Sequence, residues 1–526
     1  MPSKKAKFAF LKTKEFKIFL TIWIVYIFYL QMFGSSCMAN SQSSLTAAIV
    51  NEGRFEIDTY QKISCDIAFY KDHYYSGQAP GISFISVPIY ILSKPIFYIL
   101  PQDLIDTSFE KLENYGYKLP VDYWGNNKVL SNYFTGLSKR QIMEYIFISG
   151  FILPIFTTAL FGATTALLLY MLLKRFTKNE KLRLLITFLY AFGTILFPLS
   201  TEFFERPIAI ALAFTAFFIL FKIRNKELKP KGSTVFASGI LVGFSAWFDY
   251  FHLFISGLLF FYLLSFYIKT NKPRTFNLDK SNIFLLLKFI SGVLIPTLLL
   301  FSYYSIIFDD PLANSYTHRT LSASDASISG LLNIKPPSTH TLVSMLEFFM
   351  YSPIILIALF GVFKAILAKD RYRHDAEYIA IFGIFVFIYA TLLTLAYPDA
   401  IASSFKRHMT PIFPYAMLLL PYALLDNKKT MSKKAIKIFI VVSIITVFFN
   451  WTAAQYGGHH ALTQYNIDEN RFITGVDFFQ NGPSSDLLTT LAGVLIINSL
   501  LLNIIGLIML VLLMYLIWKP YLIKTK

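Results

Sequence analysis

Charged side chains are scarce in this sequence, and their scarcity excludes an ordinary soluble protein. Only 15% of the residues are Asp, Glu, Lys or Arg, whereas a soluble globular protein carries about 25%. Hydrophobic residues make up 55% of the chain, and the mean hydropathy is +0.54. These values indicate a polytopic membrane protein, in which long apolar helices replace much of the water-facing surface.

Sequence motifs for metals and nucleotides are also missing. The chain has no C-x-x-C or H-E-x-x-H pattern and no Walker loop, so ATP is not expected as a direct energy source. No cofactor is predicted, and a divalent metal is left open. There is no clean internal repeat of the kind found in many secondary transporters. The two cysteines, Cys37 and Cys65, either pair on an oxidising face or serve as separate packing residues.

Basic residues outnumber acids, and the net charge of +17 raises the question of nucleic acid. Their distribution argues against nucleic acid, because most of them fall in short segments between apolar runs. This is the positive-inside pattern of membrane proteins. A lysine-rich N-terminus precedes the first apolar run, and later clusters lie at 174–183, 222–231, 269–280, 364–373, 428–437 and 519–526. Both termini are therefore predicted to be cytoplasmic in a multi-pass protein of the cell membrane.

Hydropathy predicts twelve membrane-spanning helices, the first of them an uncleaved helix at 18–33. The others are predicted at 141–173, 184–201, 205–222, 233–249, 251–268, 282–308, 343–364, 376–397, 409–425, 436–454 and 488–517. The segment 82–100 is long enough to cross a membrane but contains Pro88, Lys94 and Pro95. Crossing there would move every later basic cluster outside. We therefore expect it to lie along the outer surface, or to enter the membrane and return.

This topology makes the whole chain, 1–526, a single integral membrane domain. We predict an all-α polytopic membrane protein of about twelve transmembrane helices, with a long first extracytoplasmic loop that carries interfacial helices. That loop spans 34–140, and two shorter extracytoplasmic loops span 309–342 and 455–487. The cytoplasmic connections are short, so we expect the functional face to be extracytoplasmic.

The first extracytoplasmic loop contains two acids, Asp58 and Asp66, in a segment rich in aromatic residues. If this segment is helical, their spacing places both carboxylates on similar faces of the helix. An acid near the membrane surface in such a setting can act as a general base toward a sugar or lipid hydroxyl. The alternative is a solvated loop acid or a helix cap.

An imidazole and two phenol rings follow these acids, at His73, Tyr74 and Tyr75. The imidazole can contact a phosphate, and the tyrosine rings can stack on a sugar. The alternative is the aromatic belt that many membrane proteins have at the interface with water.

Polar residues near the outer ends of other predicted helices supply further candidates. Asp249 lies in a turn too short to leave the bilayer, where an acid is costly unless it is paired or functional. Arg407 and His408 lie on the outer side, against the positive-inside trend, so a lipid phosphate is their expected partner. Contact with ordinary lipid headgroups is the alternative. Glu202, Glu205 and Arg206, in the motif TEFFERP, form either a functional cluster or a satisfied ion pair.

Several short motifs follow one another along residues 30–450: GRFEIDTY, DHYYSGQAPG, FLYAFGTILFPLSTEFF, FSAWFDY, DDPLANSYTH and RHMTPIFP. Their order resembles the polytopic GT-C glycosyltransferases, in particular the dolichyl-phosphate-mannose–protein mannosyltransferase-like and lipid A sugar transferase-like branch. Relatives usually have a lysine where this chain has Gln78. In the protein mannosyltransferases an Asp-Glu pair follows the first helix, whereas here Thr59 follows Asp58.

The resemblance implies an inverting transferase that moves a sugar from a polyprenyl-phosphate donor to a protein, lipid or glycan acceptor on the extracytoplasmic face. Asp58 would be the base, with Asp66 as the second candidate. Arg407 and His408 would face the donor phosphate and stabilise the charge that develops as the glycosyl–phosphate bond breaks. The remaining substrate contacts would come from His73, Tyr74, Tyr75 and Asp249.

Two other functions fit parts of this pattern. A lipid-linked oligosaccharide flippase or another secondary transporter would share the helices and the intramembrane charges, but would not need so long an outer loop rich in acids and aromatics. A sugar polymerase or ligase would share the chemistry and differ in its acceptor. Membrane lipids are expected contacts in each case, and nucleic acid in none.

Overall fold

The computed structural model describes residues 13–524, except for 32–35, 65, 115–129, 135, 270–274, 277–278, 321–338, 369, 397–403, 427–429, 432, 456–464, 467–470, 473–483, 486 and 490–497. Within these ranges the protein is almost entirely α-helical. Its short strands pair as antiparallel two-stranded sheets, β1–β2, β3–β4, β5–β6 and β7–β8.

The elements follow one another in a simple order along the chain. The helices are α1 (Lys14–Phe28), α2 (Cys37–Glu52), α3 (Gly81–Ser93), α4 (Pro95–Ile99), α5 (Gln102–Asn114), α6 (Lys139–Phe147), α7 (Leu160–Phe176), α8 (Glu180–Phe192), α9 (Leu196–Ser200), α10 (Arg206–Arg224), α11 (Gly232–Ser245), α12 (His252–Leu264), α13 (Lys280–Phe308), α14 (Thr339–Tyr351), α15 (Ile354–Leu367), α16 (Arg373–Ala396), α17 (Ser404–His408), α18 (Phe413–Leu424), α19 (Lys433–Gln455) and α20 (Ser499–Lys524). The strands are β1 (Ile67–Tyr70), β2 (His73–Ser76), β3 (Ile268–Lys269), β4 (Thr275–Phe276), β5 (Leu425–Asp426), β6 (Thr430–Met431), β7 (Tyr465–Asn466) and β8 (Arg471–Phe472).

Among the described residues, 7 helical segments are long and apolar enough to cross a membrane, or 8 if α14 and α15, which meet at a bend of 86°, form one broken span. This supports an all-α polytopic membrane protein, while the predicted number of twelve spans stays a prediction. The predicted spans at 233–249 and 251–268 correspond to α11 and α12, which have only 14 and 13 residues. Both are shorter than a straight span needs. Helix α11 ends before the turn that contains Asp249, and α12 is followed by a 3₁₀ turn at Ser265–Tyr267.

The segment 82–100 consists of α3 and α4, which meet at Lys94. By length and composition Gly81–Ile99 also qualifies as a membrane span, so its location on the outer surface stays a prediction. Its second half exposes large apolar side chains, among them Leu92 and Ile99, which are 80% and 81% exposed. Side chains of this kind suit contact with lipid rather than with water.

Two groups of buried hydrophobic residues form the interior. The larger group joins α1 to α7–α19, including the first half of α13. The smaller group lies in the first loop and packs α2, the β1–β2 hairpin and α3 against α6 and α13. Helix α2 therefore belongs to the packed interior, although its sequence follows the first apolar run as the start of a loop.

Helices α11 and α13 approach each other closely, and two glycines permit it. A Cβ atom on Gly239 would come closer than 3.0 Å to the carbonyl oxygen of Phe289, and one on Gly292 would come as close to the carbonyl oxygen of Phe236. Neither position accepts a side chain unless a backbone moves. Small residues bring membrane helices together in this way.

We expect Gly239→Ala to destabilise the protein by about 1–3 kcal/mol, because the added methyl group forces α11 and α13 apart. Gly257→Ala in α12 is the control, since a Cβ atom there meets nothing within 4 Å. Thermal unfolding of the purified protein in detergent should show a lower midpoint for the first variant only. Equal midpoints for the two variants would contradict the close crossing.

Candidate functional site

Helix α2 is the centre of a polar interior. Ser36 caps it by accepting a hydrogen bond from the amide of Ala39 over 3.4 Å. Every residue from Ala39 to Ala48 is buried, and most of them are polar. A buried polar side chain is costly unless it is hydrogen-bonded, so elements on several sides of α2 have to supply partners.

Those partners come from three elements that are distant in sequence. Ser41 Oγ lies 2.9 Å from Ser76 Oγ at the end of β2. Ser43 Oγ lies 2.9 Å from a tyrosine hydroxyl of α6. Gln42 Nε2 donates to Glu205 Oε2 over 2.9 Å, just before α10 begins. Helix α2 thereby fixes the hairpin, α6 and the start of α10 relative to one another.

A buried charged cluster lies beside Gln42. Arg206 Nη1 is 3.7 Å from Asp249 Oδ2 and 3.2 Å from His408 Nδ1, and Arg206 Nε is 4.0 Å from Glu205 Oε1. The side chains of Glu205, Arg206 and Asp249 are only 5%, 8% and 11% exposed. Charges held this far from water interact strongly with one another and with any ligand that enters.

His408 is neutral in this cluster. Burial, together with the charges of Arg206 and Arg407, lowers the pKa of His408 well below its usual value. A guanidinium group can only donate, so Nδ1 of His408 accepts the hydrogen bond from Arg206. The proton of the neutral ring then resides on Nε2, which can donate to a ligand.

The basic residues at 406 and 407 have different environments. Lys406 Nζ is hydrogen-bonded to Glu347 Oε2, and both side chains are fully buried. Arg407 is also buried, but its Nη1 contacts Met38 Sδ at 3.1 Å, and its Nε has no hydrogen-bond partner among the described residues. No Asp or Glu in the described part of the chain forms an ion pair with it, although Glu205 lies within electrostatic range.

One face of α2 meets both Arg407 and Glu205. Met38 and Gln42 are four residues apart and therefore lie on the same side of the helix, with a rise between them of about 6 Å. Met38 contacts Arg407, and Gln42 contacts Glu205. The cluster and the Arg407 guanidinium group thus face the same short stretch of α2.

Two residues of this region, Gln42 and His252, were missed by sequence reasoning. His252 is buried, interacts electrostatically with Asp249 and Arg206, and has no hydrogen-bond partner for either ring nitrogen among the described residues. It follows Asp249 by three residues, a one-turn spacing that could have drawn attention to it. Gln42 lies in a run of small polar residues directly after an apolar helix, which is unusual for a plain loop.

Asp58 lies apart from the cluster, at the start of a 3₁₀ turn, Asp58–Ile63. Its Oδ2 is 2.8 Å from His73 Nδ1, and its Oδ1 accepts a hydrogen bond from the amide of Tyr74 over 2.8 Å. The hydrogen bond with Asp58 raises the pKa of His73. While the Asp58 carboxylate is ionised, the pairing is therefore strongest with protonated His73 and weakens as the pH rises through the raised pKa of His73.

Asp58 and Asp66 do not lie on one helix, which corrects the expectation drawn from their spacing. Asp58 begins the 3₁₀ turn, whereas Asp66 immediately precedes β1. The chain then reverses at Lys71 and Asp72, whose φ angles are 47° and 63°. This left-handed backbone cannot continue a helix, so the segment after Asp66 folds back as a β-hairpin.

Asp66 is held by the segment that follows α13. Its Oδ1 is 2.9 Å from Arg319 Nε, and Gln78 donates a hydrogen bond to its Oδ2. Arg319 Nε also donates to the carbonyl oxygen of Gly77 over 2.9 Å. Gln78, at the position where the resemblance implies a lysine, therefore contacts a carboxylate in this structure.

Tyr74 and Tyr75 point to opposite sides of β2. The ring of Tyr75 is buried and packs against Phe308 with 5.5 Å between ring centroids. The ring of Tyr74 packs across the hairpin on Phe69 at 5.0 Å. The predicted contacts of both tyrosines with substrate stay predictions.

Strand β2 separates the predicted residues into two groups. His73 and Ser76 occupy its two ends, about 10 Å apart. Ser76 contacts α2, whereas His73 holds Asp58. The structure thus places Asp249 and His408 in the buried cluster and Arg407 beside it, next to α2. It leaves the Asp58–His73 pair at the exposed end of the strand.

Two further questions from the sequence concern cysteines and metals. Cys37, the first residue of α2, is disulfide-bonded, and Cys65 lies outside the described residues. In the part of the chain that the structure describes, no group of at least 3 His, Cys, Asp and Glu side chains is arranged to hold a metal ion.

Comparisons with known proteins found no matching family model and no matching curated protein. The chain is similar to two solved structures of oligosaccharyltransferase from Archaeoglobus fulgidus, AglB in complex with an inhibitory peptide and a dolichol-phosphate, and an apo form. Identity is 10% to each, the TM-scores are 0.44 and 0.45, and the matches cover 85% and 91% of this chain. They cover only 56% and 60% of the solved chains. Function therefore has to be inferred from the residues of the site.

Two ion pairs join the hairpin to the segment after α13, and they differ in burial. The side chains of Arg319 and Asp66 are 23% and 14% exposed, and those of Lys71 and Asp309 are 67% and 58% exposed. We expect Arg319→Ala to loosen the hairpin by about 1.5–3 kcal/mol. Lys71→Ala should have a much smaller effect, because water screens an exposed ion pair. Hydrogen exchange of the amides in β1 and β2 measures both effects, and equal exchange in the two variants would refute the role of Arg319.

Proposed function

We propose that this chain is a membrane glycosyltransferase that transfers a sugar from a polyprenyl-phosphate donor to a protein, lipid or glycan acceptor at the extracytoplasmic face. The observation that carries the proposal is the buried guanidinium group of Arg407, which has an unpaired Nε and no ion-paired acid among the described residues. A buried charge is costly unless it is paired, so this group calls for an anion. In a chain with several membrane-spanning helices, a lipid phosphate supplies one.

The proposed transfer is a single displacement. The base takes the proton of the acceptor hydroxyl, and the hydroxyl oxygen bonds to the anomeric carbon from the side opposite the phosphate. The bond from the anomeric carbon to the phosphate oxygen breaks, and its electron pair leaves with the phosphate, which gains one negative charge. Arg407 and Arg206 would stabilise that charge, and neutral His408 would donate a hydrogen bond to it.

We propose Asp58 as the base. Hydrogen bonds from His73 and from the amide of Tyr74 orient its carboxylate, and each oxygen retains a second lone pair for the acceptor hydroxyl. Asp66 and Asp249 are the competing carboxylates. Arg319 Nε lies 2.9 Å from Asp66, closer than the 3.8 Å between Arg54 Nη1 and Asp58. Asp249 belongs to the buried cluster itself.

A flippase or another secondary transporter also uses charges within the membrane. It would move a lipid-linked sugar without breaking the glycosyl bond. Incubation of the purified protein with radiolabelled polyprenyl-phosphate sugars and with peptide, lipid and glycan acceptors separates the two functions. A labelled acceptor supports the transferase, whereas movement of intact donor across vesicles without a labelled product supports the transporter.

We expect Arg407→Ala to weaken donor binding by about tenfold to a hundredfold, the effect of removing a charged hydrogen-bond donor. Lys71→Ala is the control, because it removes one positive charge from an exposed position in the hairpin. Donor affinity is measured by titration of the purified variants with the labelled lipid. An unchanged affinity in Arg407→Ala protein that expresses normally would count against the donor site.

We expect Asp58→Asn to lower the transfer rate by about 10²–10⁴-fold, because asparagine keeps the size of the side chain but cannot take up the proton. Membrane insertion and donor binding should be retained, which distinguishes a catalytic acid from a structural one. Asp66→Asn and Asp249→Asn are the matched comparisons. If one of these variants loses turnover while Asp58→Asn keeps it, the base is that residue and not Asp58. If all three variants keep turnover, the transporter function is favoured.

A further inference from the structure

The side-chain oxygen of Gln42 is a buried hydrogen-bond acceptor that has no role in the proposed transfer step. Its side chain is fully buried, and Nε2 donates to Glu205. The carboxylate can only accept here, so the amide orientation is fixed by chemistry and the other atom is the carbonyl oxygen Oε1. No hydrogen-bond partner for Oε1 is present among the described residues. A buried amide oxygen is rarely left in this state.

The position of Gln42 on α2 links this acceptor to the anion site. Met38, one turn before it on the same face, contacts the guanidinium group of Arg407. Arg206 follows the Glu205 bonded to Gln42, and its Nε lies 4.0 Å from Glu205 Oε1 but has no hydrogen-bond partner among the described residues. These donors and this acceptor, which lack hydrogen-bond partners, therefore belong to side chains arranged along about one turn of α2.

A ligand that satisfies these atoms has to carry two kinds of group. An anion satisfies the guanidinium donors, but a phosphodiester has only acceptor oxygens and cannot donate to Gln42 Oε1. A sugar linked to the phosphate has hydroxyl groups that can donate. The hydroxyls of the ring attached to the phosphate also lie within a few bonds of it, which matches the short distance along α2.

We propose that Gln42 is a specificity-determining residue whose Oε1 accepts a hydrogen bond from a hydroxyl of the donor sugar, while Arg407 binds the phosphate. This inference rests on the proposed function. It assigns the sugar and the phosphate of the donor to different residues. Sites that pair a buried polar group with a substrate hydroxyl discriminate strongly against analogues that lack the hydroxyl. The donor should therefore be a sugar with a free hydroxyl close to its phosphate.

Another buried amide of α2 provides a contrast. Asn40 also has an unpaired side-chain oxygen among the described residues, but its Nδ2 donates to the carbonyl oxygen of Ile63 over 2.8 Å. It lies two residues from Gln42, on nearly the opposite side of the helix. Ser44 faces that side as well and lies 3.1 Å from the hydroxyl of Tyr145. Ser44→Ala is therefore a matched control for a buried polar residue of α2 outside the donor site.

The test compares two lipids, polyprenyl phosphate without a sugar and polyprenyl-phosphate glucose, on the full-length protein. We expect Gln42→Met to weaken binding of the sugar-bearing lipid by about 3- to 10-fold, the effect of one hydrogen bond, and to leave the sugar-free lipid unchanged. Arg407→Ala should weaken both lipids, and Ser44→Ala neither. An equal effect of Gln42→Met on both lipids, or no effect on either, would overturn the inference and leave the proposed function standing.

A second measurement does not depend on the folding of a variant. The wild-type protein is titrated with a set of polyprenyl-phosphate glucose lipids, each lacking one hydroxyl of the sugar. We expect one of these deoxy lipids to bind about 3- to 10-fold more weakly than the parent. Equal affinities across the set would refute the role of Gln42. A wild-type protein that binds none of the lipids would overturn the proposed function, and the inference with it.

Discussion

The burial of the polar residues of α2 is the constraint on which the other features depend. From Ala39 to Ala48 the helix is enclosed, although most of these residues are polar. Such a helix is stable in an apolar interior only if other elements bring hydrogen-bonding groups to it. The hairpin, α6 and the start of α10 do so through serine, tyrosine and glutamate side chains. The hydrogen-bonding groups of α2 therefore determine the relative positions of the hairpin, α6 and the start of α10.

Charge pairing then decides which groups are left for a ligand. Successive residues on a helix point about 100° apart, so Lys406, Arg407 and His408 of α17 reach three different elements. They meet Glu347 of α14, Met38 of α2 and Arg206 of α10. Lys406 is neutralised by its acid and His408 is uncharged, so Arg407 alone among the three offers a positive charge that no ion pair compensates within the described structure.

Part of the site could be recognised from local signals. Asp249 was recognised because an acid deep in an apolar stretch is costly, and Arg407 and His408 because they oppose the positive-inside trend. Gln42 gave no signal of this kind, since its partner Glu205 is 163 residues away along the chain. The spacing between Asp58 and Asp66 was misleading, because the 3₁₀ turn that Asp58 begins ends at Ile63, before the chain reaches Asp66.

Hydropathy and the distribution of basic residues are properties of short stretches of chain, so they were enough to establish an α-helical protein of the membrane. Each of these properties belongs to one segment and does not depend on how the other segments pack. The pairing of charges is different, because it depends on distances between segments that are far apart in sequence. Lys406 and Arg407 are adjacent basic residues in the sequence, and the distinction between a neutralised cation and one open to a ligand arises only when Glu347 packs against one and Met38 against the other.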